Sequence, residues 1–199
     1  PSVAQPLCVL RDVEEIGLGP ACYLWDYLRR SGLRGFFLPL SGGADSSSTC
    51  ALVAIMCQLV VQEIADLRRR EHEGDRAGST TGIPALTKAV LRTALHDVQR
   101  FATAAEKEAF AKKQQKKVGA DAGKTVATEV AYEPSDWKEL CGRVLFTCYM
   151  ASRHSGEDTR ARALALASES GATHSSIFID GITQALEQSF VDVELHSSG

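Results

Sequence analysis

A six-residue stretch of the chain combines two adjacent glycines with two hydroxyl groups and one carboxylate. It spans residues 41–46 and has the sequence Ser-Gly-Gly-Ala-Asp-Ser. Two successive glycines let the backbone turn through positive φ, so that several N–H groups point to one place. If a helix begins directly after them, its first N–H groups extend the same positive site. Because Ser41 and Ser46 add hydroxyl donors, these residue types predict an anion site suited to a phosphate chain.

Asp45 distinguishes this stretch from the common phosphate-binding loops. No lysine follows the glycines as in a Walker A loop, and the spacing is not the GxGxxG of dinucleotide-binding folds. A carboxylate repels phosphate unless a cation lies between them, and Mg²⁺ binds through one or two carboxylates plus phosphate oxygens. We therefore expect a magnesium nucleotide, with Asp45 as the metal ligand. The alternative is an ordinary turn in which Asp45 or Ser46 caps the following helix.

The flanking sequence positions this stretch between a strand and a helix. Residues 35–40 form a short apolar run without alternation, which is typical of a strand covered on both faces. A helical pattern follows over about residues 46–70 and is apolar on nearly all sides as far as Val61, which predicts a buried helix or a subunit contact. Open α/β sheets bind ligands at the carboxyl ends of their strands, which is where residues 41–46 would lie.

The rest of the chain repeats the alternation of strand and helix. Pro20 opens a helical pattern that Gly32 ends, and Gly171 ends a later one. Helices are predicted over residues 20–31, 87–117, 157–170 and 182–193, and further strands over residues 143–151 and 176–180. The order predicts an α/β fold, a Rossmann-like parallel sheet with flanking helices.

Composition restricts the classes of partner. The 199 residues carry 22 Lys and Arg against 25 Asp and Glu, a formal charge of −3, with 44% hydrophobic residues. A sequence-independent nucleic-acid binder needs excess positive charge, so we expect no nucleic-acid partner. The lysines of residues 107–117 are then a solvated face, although a basic patch for RNA stays an alternative.

Apolar runs and cysteines indicate a cytoplasmic setting. The most apolar segment, residues 50–61, is shorter than the roughly 20 residues that cross a bilayer, so no membrane span is expected. The six cysteines include no CxxC pair, and four of them lie in apolar stretches. We interpret these four as buried thiols in a reducing compartment rather than as zinc ligands or disulfides.

Residues 38–46 resemble the PP-loop, SGGxDS, of the N-type ATP pyrophosphatases, which have the adenine nucleotide alpha hydrolase-like fold. That group includes synthetases of NAD, GMP, asparagine and argininosuccinate, together with tRNA-modifying ligases. Three flanking stretches, residues 18–31, 136–152 and 159–180, look like the glutamine-dependent NAD synthetase family of eukaryotes, in the family's order. The flanks therefore favour this family within the larger group.

The resemblance implies a ligase that forms a C–N bond. The carboxylate of nicotinic acid adenine dinucleotide (deamido-NAD) would attack the α-phosphate of ATP, and pyrophosphate would leave. Ammonia from glutamine would then displace AMP from the acyl-adenylate to give NAD. The ATP-binding residues that it implies are Pro39, Leu40, Ser41, Gly42, Gly43, Ala44, Asp45 and Ser46. Ala44 stands where the family usually has a larger aliphatic residue, which should affect packing only.

Two residues of this set have further roles implied by the resemblance. The family's active-site serine matches Ser41, and Asp45 would hold Mg²⁺. Since no base stands beside Ser41 in the sequence, we interpret its hydroxyl as a phosphate ligand and not as a nucleophile.

The resemblance also implies an organisation. We expect residues 1–18 to be a linker from a glutaminase domain, and residues 19–199 to be the amino-terminal half of the ATP-binding synthetase domain, with an insertion at residues 71–132. The chain would thus be a fragment, incomplete for activity. Its implied partners are deamido-NAD, ammonia or glutamine, the glutaminase domain and further copies of the same chain in a homo-oligomer.

Two other functions stay open. One is another PP-loop ligase with a nucleotide or tRNA substrate, although the charge of −3 and the lack of a CxxC sulfur-transfer pair stand against tRNA. The other is a truncated module that binds ATP without catalysis.

Overall fold

Helices surround one long central helix and cover one face of a small sheet. The computed structural model describes residues 9–76, 82–118 and 130–191. The helices are α1 (Asp12–Ser31), α2 (Ala44–Arg76), α3 (Gly82–Val98), α4 (Ala104–Val118), α5 (Trp137–Val144), α6 (Glu157–Ser170) and α7 (Asp180–Val191). The strands are β1 (Phe36–Pro39), β2 (Leu145–Ala151) and β3 (Thr173–Phe178). A 3-10 turn, Gln99–Phe101, follows α3.

The three strands form a parallel sheet in the order β1-β2-β3. Phe37 pairs with Phe146 between the first two strands, and Cys148 pairs with Ser175 between the second and third. Parallel neighbours need a crossover, and here α2 to α5 connect β1 with β2 while α6 connects β2 with β3. The predicted Rossmann-like parallel α/β arrangement is confirmed.

The core is built around α2. This helix packs against α1, α3, α5 and α6. Its buried side chains recur at helical spacing: Cys50, Val53, Met56, Cys57, Val60, Ile64 and Leu67. The stretch Ala44–Glu73 is also long and apolar enough to cross a membrane, by length and composition alone. Since α2 contacts four other helices, we interpret it as the core helix of the fold, as the sequence predicted.

The four thiols in apolar stretches are buried, as predicted: Cys50, Cys57, Cys141 and Cys148. Burial raises the pKa of the Cys50 thiol, whose sulfur lies 3.6 Å from the hydroxyl oxygen of Ser170. These cysteines are core residues, and in the described part of the chain no group of three or more metal-binding side chains occurs.

The expectation that β1 is covered on both faces is wrong for the described residues. Phe37 is 67% exposed, and its neighbours on the same face of the sheet, Phe146 and Met150, are each more than 40% exposed. The helices that contact the sheet shield the opposite side chains, such as Leu145 and Tyr149. An apolar run shows that both faces of a strand carry apolar side chains. Which face other elements cover depends on tertiary packing.

Two capped helix starts were missed by the sequence prediction, one that lengthens α1 and one that begins an additional helix. Helix α1 begins at Asp12 and not at Pro20, since the Arg11 N–H donates to the Glu14 carboxylate (3.0 Å). Part of the predicted linker is therefore helical. Helix α5 was not predicted at all. It begins after Asp136, whose carboxylate accepts the Lys138 N–H (3.0 Å), and β2 consequently begins at Leu145 and not at residue 143.

The polar pattern over residues 87–117 forms two helices, and the first is not a solvated surface element. Leu91, Leu95 and Val98 of α3 are fully buried against α2. A capping box then starts α4: the Thr103 N–H donates to Glu106 (2.7 Å) and the Glu106 N–H donates to the Thr103 hydroxyl (3.2 Å). The proportion of charged residues concealed the leucines at helical spacing. That residues 71–132 form an insertion stays a prediction.

Candidate functional site

The glycine-rich stretch lies where β1 ends and α2 begins. We call residues 41–46 the SGGADS loop. Its start is fixed to the sheet, because the Leu40 N–H donates to the Cys148 carbonyl (2.9 Å) one residue beyond the paired part of β1. Gly42 has φ of +76°, which only glycine adopts readily, and α2 begins two residues later at Ala44. The predicted strand, turn and helix are therefore present in the predicted order.

Two serine hydroxyls hold the loop in shape from within. The Ser41 and Ser46 hydroxyl oxygens are 3.0 Å apart, and the Ser41 N–H donates to the Ser46 hydroxyl at 3.2 Å. The Gly43 N–H donates to the Ser41 hydroxyl at 3.3 Å, while the Ser46 hydroxyl donates to the Gly43 carbonyl at the same distance. Because α2 begins at Ala44, Asp45 and Ser46 both lie inside the helix, so the alternative in which one of them is its N-cap is wrong.

The amino terminus of α2 presents free donors beside this loop. Ser47 is the first residue whose N–H bonds back to the chain in helical fashion, to the Gly43 carbonyl at 3.1 Å. The N–H groups of Ala44, Asp45 and Ser46 precede it and have no intrahelical acceptor. The Asp45 side chain is exposed beside them. The site therefore offers positive dipole ends together with one carboxylate.

The first turn of α6 closes the other side of the loop. A Cβ atom added to Gly42 would lie 2.2 Å from the Thr159 carbonyl oxygen and 3.0 Å from its carbonyl carbon. The backbone of the loop and the backbone of α6 are thus in direct contact. Gly42 is required both for its positive φ and for this approach, and the sequence predicted only the former.

A cavity of about 290 Å³ opens between the ends of β1 and β2. Its lining residues are Pro39, Leu40, Ser41, Cys148, Tyr149, Met150, Ser155 and Thr159. The first three belong to the predicted set, and the other five were missed. Strand topology carried a signal for them, because neighbouring parallel strands end at the same edge of a sheet. Their side chains gave no motif.

Polar groups around the β2–α6 connection mostly bond to one another. The Ser152 N–H donates to the Ser155 hydroxyl (2.9 Å). The Arg153 N–H donates to the Asp180 carboxylate (2.9 Å), so Asp180 links this connection to α7, which itself begins at that residue.

Arg143 lies at the opposite end of β2 and is fully engaged. It makes two hydrogen bonds to Glu106 (2.7 and 2.8 Å), one to the Phe101 carbonyl (2.9 Å) and one to Glu139. Its guanidinium also lies 4.0 Å from the centre of the Tyr132 ring. These bonds lower the pKa of Glu106 to about 2, since the positive guanidinium favours the charged carboxylate. Arg143 is therefore a structural ion-pair residue and not a phosphate ligand.

Three further cationic or titratable side chains on α6 and β3 have local partners. Arg160 lies 5.8 Å above the Phe178 ring, and Arg162 donates to the Asp158 carbonyl (3.3 Å). His174 contacts the Thr147 hydroxyl (2.8 Å), and partial burial lowers its pKa. None of these contacts joins them to the SGGADS loop.

Comparison with known proteins identifies relatives of the chain. No family model matches it. It is 36% identical over 180 residues to the glutamine-dependent NAD(+) synthetase of Dictyostelium discoideum, covering 90% of this chain and 19% of the relative. Identity to the Arabidopsis thaliana synthetase is 38% over 180 residues (90% and 18%), and to the human synthetase 36% over 173 residues (87% and 18%). The chain thus spans less than a fifth of the length of the curated relatives it matches.

The fold of the chain is similar to that of a solved structure, which is also a glutamine-dependent NAD(+) synthetase. A glutamine-dependent NAD(+) synthetase from Cytophaga hutchinsonii superposes with a TM-score of 0.53 and 22% identity, over 94% of this chain and 25% of that one. At this identity the likeness shows the fold alone. Together with the sequence matches, it makes this chain a homologue of one segment of the glutamine-dependent NAD(+) synthetases.

Proposed function

We propose that this chain forms the ATP-binding part of a synthetase that amidates deamido-NAD to NAD at the expense of ATP. The observation that carries the proposal is the SGGADS loop, which is closed by its own serines and leads directly into the amino terminus of α2. The identity of 36–38% to named synthetases supports the choice of reaction. The reaction joins ammonia to the carboxylate through an acyl-adenylate and releases AMP and pyrophosphate.

The loop would bind the departing pyrophosphate. Charge develops on these oxygens as the α-phosphate transfers, and donors already fixed in place stabilise such charge without reorganising. The N–H groups of Ala44, Asp45 and Ser46 are donors of this kind. The Ser41 hydroxyl would join them by turning from Ser46 towards the ligand. Its described partners, Ser46 and Gly43, include no general base, which supports a binding role over a nucleophilic one.

The adjoining cavity would take the adenosine part of ATP. Its volume of about 290 Å³ and the apolar walls from Pro39, Leu40 and Met150 suit a flat base. Ser155, just before α6, offers a hydroxyl to a ribose. The nucleotide would then extend from the β2 edge to the loop.

The residues present fit a magnesium ion at Asp45. This carboxylate is exposed beside the loop, and Mg²⁺ needs only one or two carboxylates when phosphate oxygens complete its coordination. When bound, the ion would neutralise charge on the leaving pyrophosphate. Asp45 would hold it, while the loop amides orient the phosphates.

The remaining components belong to a longer protein. We propose that residues 1–18 link a glutaminase domain to this region, and that residues 19–199 are the amino-terminal half of a synthetase domain. Deamido-NAD and ammonia from glutamine would be the other reactants, and the assembly would be a homo-oligomer in the cytoplasm. These assignments rest on the resemblance of the flanking stretches to the family, and the 18–19% share of the relatives that the chain covers fits one segment of a longer protein.

ATP–pyrophosphate exchange tests the proposal directly. The chain is incubated with Mg-ATP and labelled pyrophosphate, and deamido-NAD, xanthosine monophosphate or aspartate is offered in separate reactions. Exchange that depends on deamido-NAD alone supports the proposal. Exchange with another acid would replace it with a different PP-loop ligase. Binding of Mg-ATP without any exchange would indicate a nucleotide-binding module that needs the rest of the protein.

Variants of the loop test the assigned roles by calorimetric titration with Mg-ATP. We expect Asp45→Asn and Ser41→Ala to weaken binding about tenfold each, the effect of one charge-assisted or phosphate hydrogen bond. Ser48→Ala is the matched control, because this hydroxyl bonds within α2 to the Ala44 carbonyl (2.9 Å). Unchanged affinity in Asp45→Asn would remove the metal assignment.

A further inference from the structure

The hydroxyl of Tyr149 is buried behind the candidate site. Tyr149 is 4% exposed and lies near the carboxyl end of β2. Its hydroxyl oxygen is 2.8 Å from the Thr159 hydroxyl and 3.4 Å from the Gly156 carbonyl oxygen. The Thr159 hydroxyl donates in turn to that same carbonyl at 2.7 Å. The shorter contacts are satisfied together when the Thr159 hydroxyl donates to Gly156 and the Tyr149 hydroxyl donates to Thr159.

These hydroxyls hold the start of α6, which has little else to fix it. Gly156 is the N-cap residue of α6 and carries no side chain that could cap the helix. The first backbone bond of the helix, from the Arg160 N–H to the Gly156 carbonyl, is long at 3.4 Å. The bond between the Tyr149 and Thr159 hydroxyls therefore ties the first turn of the helix to the sheet, and the Thr159 hydroxyl holds the Gly156 carbonyl within that turn.

That first turn is also the wall against which the SGGADS loop is built. The Thr159 carbonyl occupies the space that a Cβ atom at Gly42 would need. A shift of this carbonyl would let the Gly42 peptide move, and the N–H groups of the loop would move with it. Tyr149 is thus connected to the loop by one side chain and one backbone contact.

We propose that the Tyr149 hydroxyl is a positioning group that sets the geometry of the SGGADS loop by fixing Thr159 against Gly42. Its consequence for nucleotide affinity rests on the proposed function, but its effect on the loop does not. Tyr149 touches no phosphate in this arrangement and acts through Thr159.

Amide NMR of the full chain tests the positioning without any nucleotide. We expect Tyr149→Phe and Thr159→Val to shift the Gly42 and Gly43 amide signals and to speed exchange of the Arg160 amide about tenfold, the effect of one lost hydrogen bond. Thr159→Ser keeps the hydroxyl and should restore both readouts.

Tyr132→Phe is the matched control, because it removes a buried tyrosine hydroxyl whose hydrogen bond is to α5 and not to α6 or the SGGADS loop. Tyr132 is equally buried at 6% exposure, and its hydroxyl donates to Glu139 (2.5 Å), a residue of α5. This variant should leave the Gly42 and Gly43 signals in place. Unshifted signals in Tyr149→Phe, or equal shifts in Tyr132→Phe, would overturn the proposal.

A titration with magnesium pyrophosphate separates this proposal from the proposed function. We expect Tyr149→Phe to weaken binding about tenfold, as one lost hydrogen bond would, and Tyr132→Phe to leave it unchanged. Wild-type affinity in Tyr149→Phe would overturn the positioning role. If the wild-type chain binds neither pyrophosphate nor ATP, the proposed function fails, and the amide signals alone decide the positioning role.

Discussion

The two ends of β2 use polar residues in opposite ways. At the amino end, Arg143 is bonded to Glu106 and Glu139 and covers the Tyr132 ring, so that each charged group is matched by another in the same cluster. At the carboxyl end, the first N–H groups of α2 have no intrahelical acceptor and Asp45 is exposed. The polar groups at the amino end bond to one another, whereas the carboxyl end leaves backbone donors without an intrahelical acceptor.

A tyrosine at each end shows the same difference. Tyr132 bonds directly to a carboxylate within its cluster (2.5 Å to Glu139), and burial raises its pKa. Tyr149 bonds to the hydroxyl of Thr159, whose carbonyl borders the SGGADS loop. Both buried hydroxyls are thus hydrogen-bonded. Only at the carboxyl end do the contacts continue to the SGGADS loop and the first N–H groups of α2.

The largest effect is expected from closing the space at Gly42. Gly42→Ala places a Cβ atom 2.2 Å from a backbone oxygen in addition to straining a positive φ. Gly32 has a similar φ of +71° with nothing within 4 Å, so Gly32→Ala measures the strain alone. We expect a loss of unfolding free energy of about 1 kcal/mol for Gly32→Ala and about 3 kcal/mol or more for Gly42→Ala, by urea denaturation. Equal losses of unfolding free energy in the two variants would show that α6 moves to accommodate the added Cβ atom, which would contradict the close contact at Gly42.

A smaller loss is expected at the amino end of β2. Arg143→Met removes the guanidinium donor of the Glu106 and Glu139 carboxylates and of the Phe101 carbonyl, and should cost about 2 kcal/mol of unfolding free energy. Mg-ATP affinity should stay unchanged, because the arginine lies at the other end of the strand from the loop. Arg162→Met, at an exposed position, is the control. Weakened ATP binding by Arg143→Met would contradict the separation of the two ends.

The amino end should also make the chain sensitive to acid. Because Arg143 lowers the pKa of Glu106 to about 2, the unfolded chain binds more protons at this residue than the folded one below about pH 5. Its contribution to stability is present at neutral pH and is lost as the pH falls towards 2. In Glu106→Gln, the decrease of melting temperature between about pH 5 and pH 2 should be shallower. The same slope in both proteins would place the acid sensitivity elsewhere.

The smallest effect on stability is expected at Asp45. Its carboxylate is exposed and near the amino end of α2, where a negative charge contributes only a few tenths of a kcal/mol. Asp45→Asn should therefore change the unfolding free energy by less than about 0.5 kcal/mol while weakening Mg-ATP binding. A large loss of stability in urea denaturation would assign Asp45 to the fold and not to a ligand.

Sequence patterns were sufficient where a few neighbouring residues decide the structure. Gly32 and Gly171 end α1 and α6 with φ of +71° and +73°, as predicted, and α6 has the predicted bounds. The strand, loop and helix around residues 41–46 also follow from local residue types. The caps at Arg11 of α1 and Asp136 of α5 are also local. They were not predicted because arginine and aspartate occur at many positions that do not cap a helix.

The sequence by itself determined the parallel α/β order, the SGGADS loop and the helix ends, because backbone preferences over a few residues fix them. Only the tertiary structure decided that Thr159 closes the loop at Gly42, that Tyr149 holds Thr159, and that Arg143 is engaged away from the site. Gly42 and Thr159 are far apart in the chain and meet because neighbouring parallel strands end at one edge. Such contacts depend on how whole helices and strands pack. The residue types at one position do not determine that packing.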